Sequence, residues 1–177
     1  MKNGKKILAL LLCAVLLIVA SVAGTIAYLT DDAVVKNTFT VGNVGITLHE
    51  TTGTRYKLAP GVTLAKDPRI TVQAGSDACF VFVHVQSSNQ FDAYCAFEMQ
   101  GQWLPLEGHN GIYYQTVDKS RQPTVLGILE GDCITVHPTL TEQQLEAISE
   151  YPTLKFTAYA VQQSGFATAA EAWQVFN

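Results

Sequence analysis

The sequence predicts a mostly β protein, a jelly-roll-like antiparallel β-sandwich with two short helices, occupying residues 28–177. Three observations carry this. Short segments of alternating apolar and polar residues recur along the chain, as expected of strands with one face buried. One stretch, Cys79–Val85, is almost continuously apolar and bounded by polar residues, as a strand covered on both faces would be. Two short helices are signalled by capping spacings at Thr141 and Thr168, each with a Gln or Glu three residues on.

The first 27 residues are set apart by their chemistry. Lys2, Lys5 and Lys6 precede a run from Ile7 to Ala23 in which Ser21 is the one clearly polar side chain. A basic start, an apolar middle and the small-residue ending Gly24-Thr25-Ile26-Ala27 form the pattern of a signal peptide, with cleavage expected between Ala27 and Tyr28. The apolar run is just long enough to be an uncleaved anchor, which needs about 17–25 residues. In either case the basic flank comes first and Asp31 and Asp32 follow, so the domain is placed outside the cell. The membrane is then met only through the signal segment. Cys13 lies inside the apolar run after Leu12, a poor context for lipidation.

Of the 11 Lys and Arg residues, three belong to the signal, and all 15 Asp and Glu residues lie beyond it. The remaining chain therefore has eight basic and fifteen acidic residues, a net charge of −7. An acidic chain without a basic run argues against nucleic acid as the main partner. Cys79, Cys95 and Cys133 remain, an odd number that permits at most one intrachain bridge. Such a bridge would more readily use Cys133, because a hairpin register would hold Cys79 and Cys95 too far apart.

Along the chain, residues 33–41 alternate with Ala33, Val35, Phe39 and Val41 on one side, predicting a half-buried strand. Gly42 and Asn43 interrupt it, and Val44, Ile46 and Leu48 restart the alternation. Residues 51–68 read as a loop with turns at Pro60-Gly61 and Asp67-Pro68. Arg69–Gln73 is the next strand, followed by the apolar Cys79–Val85. Residues 87–92 read as a polar turn, and Ala93–Met99 as the hairpin partner of Cys79–Val85. Gly111–Val117, Cys133–Val136 and Thr153–Val161 complete the strands. The helices begin after Thr141 and Thr168, and Trp173 and Phe176 supply the docking face of the second.

The sequence offers no recognisable catalytic residue, metal ligand set or cofactor motif. His49-Glu50 begins like a zinc-protease motif, but Gly53 stands where the second histidine is required, and the context is a strand rather than a helix. The hairpin register would set His84 across from Cys95, with Cβ atoms about 4.5–5.5 Å apart; a buried cysteine beside a core histidine is the commoner outcome. Tyr113, Tyr114 and Trp103 could present a sugar-stacking surface or fill the core.

Several segments together resemble the TasA and camelysin family of secreted Gram-positive proteins. They are GTIAYLTDD at 24–32, NTFTVGNVGITL at 37–48, LAPGVTLAKDPRITV at 58–72 and FTAYAVQQSGFATAAEAW at 156–173. The resemblance implies export through a W-type signal peptidase, a jelly-roll domain, and assembly into extracellular fibres of the biofilm matrix. In such fibres the N-terminal strand of one subunit, here with Ala33, Val35, Phe39 and Val41, completes the sheet of the next, and other matrix proteins are possible partners. Two alternatives stay open: a monomeric surface-binding or adhesin module, and a camelysin-like metalloprotease.

Overall fold

The structure, a computed structural model, describes residues 37–52 and 57–176. The expected signal segment, the Ala27–Tyr28 junction, Ala33 and Val35 lie outside the described residues. Eleven strands are described: β1 (Asn37–Val41), β2 (Ile46–His49), β3 (Thr63–Ala65), β4 (Arg69–Val72), β5 (Cys79–Ser87), β6 (Cys95–Ala96), β7 (Leu104–Pro105), β8 (Ile112–Val117), β9 (Thr124–Gly127), β10 (Cys133–Val136) and β11 (Leu154–Gln162). Three short helices accompany them: α1 (Phe91–Tyr94), α2 (Glu142–Glu146) and α3 (Ala169–Trp173).

One layer is a five-stranded sheet in the order β1-β11-β5-β8-β7. Two three-stranded sheets, β2-β4-β9 and β3-β10-β6, contribute the residues that pack against its inner face. The chain passes repeatedly from one sheet to another between successive strands, which is what makes the sandwich jelly-roll-like. The ladders are antiparallel except that β1 pairs parallel with β11.

The pairing of β5 explains why its sequence is apolar throughout. It is flanked on both sides, by β11 and β8. Cys79, Val81, Val83 and Val85 point into the sandwich and join Ile46, Ile70 and Val136 from the smaller sheets. Phe80 and Phe82 point the opposite way and are covered by Trp173 of α3. Both expected caps form. The Thr141 hydroxyl accepts from the Gln144 N–H at 3.2 Å while the Gln144 side chain reciprocates at the Thr141 N–H. At α3 the Thr168 hydroxyl accepts from the Glu171 N–H, and the Glu171 carboxylate accepts from the N–H of Ala167 instead of Thr168.

Three expectations are corrected. Ala93–Met99 is not the hairpin partner of β5. Residues 91–94 form the single turn α1, which carries the chain into the other layer, where Cys95 pairs with Val136. His84 instead lies opposite Thr157 and Ile112. Secondly, residues 51–68 are not all loop, since Thr63–Ala65 pairs with β10. Thirdly, helices number three rather than two among the described residues, the extra one being α1. The three cysteines, Cys79, Cys95 and Cys133, are all free thiols, within the limit of one bridge that their odd number allows. Burial pushes the Cys79 thiol up to about 11 and raises that of Cys95, so neither is disposed to ionise.

Two polar ties fasten the loop that enters β4. Glu50 and Lys66 form an ion pair at 2.8 Å with both side chains almost wholly buried. The neighbouring Asp67 carboxylate accepts from the Thr51 hydroxyl and from the N–H groups of Thr51 and Thr52 at 2.9 and 2.8 Å. Burial works against the charge on Asp67, but these hydrogen bonds together outweigh it and hold the carboxyl well below the usual range. A carboxyl depressed on folding contributes stability in full above its unfolded value of about 3.9. That contribution is lost as pH falls through and below this value. Asp67→Asn should therefore be less stable than the parent at neutral pH, with the difference shrinking below about pH 4. Urea midpoints of the two proteins at neutral and acidic pH measure it; a constant difference would contradict the assignment.

Candidate assembly edge

β1 is the end strand of the five-stranded sheet. Its five residues run beside the second half of β11, with Asn37 opposite Thr157 and Val41 opposite Val161. No strand pairs with its other side among the described residues. The alternation in the sequence predicts a half-buried strand, but Thr38, Phe39, Thr40 and Val41 are all exposed, Phe39 by 48% and Val41 by 40%. The expectation of a buried apolar face is therefore corrected. An end strand shares its cover with one neighbour only, and the residues that close the sandwich core here are Ala158 and Ala160 of β11, not residues of β1.

The register decides which way the side chains face. Phe39 and Val41 lie opposite Tyr159 and Val161, on the outer face of the sheet, while Thr38 and Thr40 lie opposite the inward-facing Ala158 and Ala160. Phe39 stacks on Tyr159 with ring centroids 5.1 Å apart and planes inclined by 16°. Tyr159 in turn meets Trp173 edge to face at 5.1 Å and Phe176 at 5.1 Å. β1 is thus held by a short main-chain ladder and one aromatic stack, the latter continuous with the rings under α3. Burial raises the Tyr159 phenol above its ordinary value.

Where β1 ends, Gly42 takes a φ of +85°, a backbone region open to glycine and strained for other residues. The space a Cβ would need there is taken by the Gln162 side chain. The chain then passes Asn43 into Val44, which is buried and starts the inward alternation of β2.

At the opposite end of the same sheet, β7 has two residues, Leu104 and Pro105, and proline lacks the N–H that a further strand would need. The sheet therefore has unlike edges.

The remaining candidates are not brought together. His84 is half-buried, and burial together with the Lys155 charge lowers its pKa; Cys95 belongs to the sandwich core instead. His49 ends a strand and is exposed, with Glu50 held by Lys66. His109 packs edge to face on Trp173, and the His137 Nε2 bonds the Asp92 carbonyl at 3.0 Å. Among the described residues no three His, Cys, Asp or Glu side chains converge as a metal site would require. Trp103 is buried and its indole N–H donates to the Gly127 carbonyl at 2.7 Å. Tyr113 packs toward the sandwich core and Tyr114 toward the opposite cluster, so these aromatics share no surface.

Nothing in the sequence singles out Tyr159, although the alternation of residues 154–160 already places it on the face opposite Phe156 and Ala158. Comparison with protein-family models, with curated proteins and with solved structures finds no match for this chain.

Proposed function

We propose that this chain is an exported structural protein of the extracellular matrix or cell surface, which self-associates by moving β1 from its own β11 to the β11 of a neighbouring copy. The observation that supports this reading most directly is the state of β1: paired on one side, exposed on both faces, and attached through Phe39 to a ring that belongs to the body of the domain. A strand with little packing of its own detaches at small cost, and the edge it uncovers is a template for an identical strand. The same ladder and the same stack would then form between copies. The resemblance to the TasA and camelysin family supports the same assignment, with a W-type signal peptidase releasing the chain after Ala27.

The test is direct. Purified exported protein, concentrated and incubated for days, should give filaments by negative-stain electron microscopy and a growing high-mass fraction by size-exclusion chromatography. A chain that stays monomeric throughout would remove the assembly reading.

A further inference from the structure

On the far side of the five-stranded sheet from β1, a cleft of about 600 Å³ opens between β8 and β9. This volume lies in the range of small-ligand sites. Its walls are unusual in composition. Three glutamines, Gln100, Gln102 and Gln115, face it together with Thr116, Thr124 and Arg69.

Gln115 is the informative one. It lies opposite Val81 on β5, in the register that faces the sandwich, and its strand neighbours at the same register, Tyr113 and Val117, pack on the core. An apolar side chain would suit that position. Instead an amide stands there, and its Nε2 is buried without a hydrogen-bond partner. Buried amide groups left unpaired are disfavoured, and water or a ligand in the cleft would satisfy this one. Gln100 has room in the same cleft because residue 127 is glycine: a Cβ there would come within 2.6 Å of the Gln100 Nε2.

Charge narrows the ligand. The Arg69 guanidinium is engaged by Asp132, and Lys119 at the rim by Asp77 at 2.7 Å. Both cations that line the cleft are thus compensated, and neither is placed to draw in an anion. Apart from the exposed Asp118 carboxylate, which also disfavours an anion, what the cleft offers is amides and hydroxyls, each able to donate and accept at once. Vicinal hydroxyl groups on a sugar ring have the same double character. Val125, 56% exposed, provides an apolar wall for the C–H face of such a ring.

We propose that this cleft binds a neutral oligosaccharide through the amides of Gln100, Gln102 and Gln115. An extended peptide added along β9 would satisfy the main chain of that edge but has no need of three converging side-chain amides.

Isothermal titration of the full exported chain with maltotriose, cellotriose and chitotriose tests this. At least one should bind, and Gln115→Met, which keeps the length of the side chain and removes the amide, should weaken it at least tenfold. Gln102 is exposed, so Gln102→Ala leaves the fold untouched and should weaken the same sugar severalfold even if the Gln115 variant folds poorly. The proposal is overturned if none of the three sugars binds, if binding survives both substitutions, or if a neutral Thr- and Val-rich peptide binds the cleft and the sugars do not.

Discussion

Phe39→Asp is expected to abolish assembly while leaving the domain folded. In the monomer Phe39 is about half exposed and touches Tyr159 at the sheet edge, away from the fully buried rings. Losing one exposed aromatic pair removes only about 0.5–1.5 kcal/mol beyond the change in area. Exchange is more sensitive. In the proposed exchange, detachment breaks the same ladder and stack that docking on a neighbour restores, so the net driving force is small and the order of events matters. Ordering a free strand costs roughly 1–2 kcal/mol for each residue. The ladder and the Phe39 stack must together offset this at every junction. A carboxylate set against the face of the Tyr159 ring meets the negative side of its quadrupole and must also shed water. Filaments should be absent by electron microscopy at concentrations where the parent forms them, with circular dichroism and melting temperature close to those of the parent. Filaments of unchanged yield would mean that β1 is not the exchanged element.

The largest loss of stability is expected at Phe82. It is fully buried on the outer face of β5, with Trp173 at 5.1 Å, Tyr114 and Phe176 at 6.2 Å and Phe80 at 6.3 Å. Phe→Ala at such a site costs about 3–5 kcal/mol, against a total of about 5–15 kcal/mol for a domain. For a chain of this size that corresponds to a fall in melting temperature of roughly 6–20 °C. The five-residue α3 has no stability of its own and is held by these rings. Its release should appear as early exposure of Trp173 to quenchers. A change below about 1 kcal/mol by urea denaturation would show that the cluster repacks around the gap.

What is legible in the sequence is what local chemistry determines. The capping box at Thr141 needs only residues 141–144, and it forms as that spacing predicts. The apolar run of β5 encodes burial on both sides, because no polar side chain from Cys79 to Val83 could tolerate either face. The strand Cys133–Val136 matches its expected bounds to the residue. The failures are of pairing and of layer. A polar stretch after a strand reads the same whether the chain reverses into a hairpin or crosses to the other layer, and here the single turn α1 takes it across, separating His84 from Cys95. β3 and β7, at three and two residues, are too short for alternation to register. The exposure of β1 depends on the absence of a covering partner, which no property of Phe39 or Val41 reports. The cleft leaves no signature in the sequence, because Gln100 and Gln102, Gln115, Thr124 and Arg69 are brought together by three different strands and a loop, and each alone looks like surface.

Gly42 gives the strand next to it a choice. With φ at +85° the backbone turns so that β1 lies along its own β11. Every other residue type favours negative φ, and an alanine there would be strained and would press on the Gln162 side chain beside β11. Under the proposed exchange, the missing side chain at position 42 would act as a latch that keeps β1 on its own domain until a neighbour takes its place. The timing of assembly would then reside in one backbone angle, separate from the strength of the contacts that hold the assembly together.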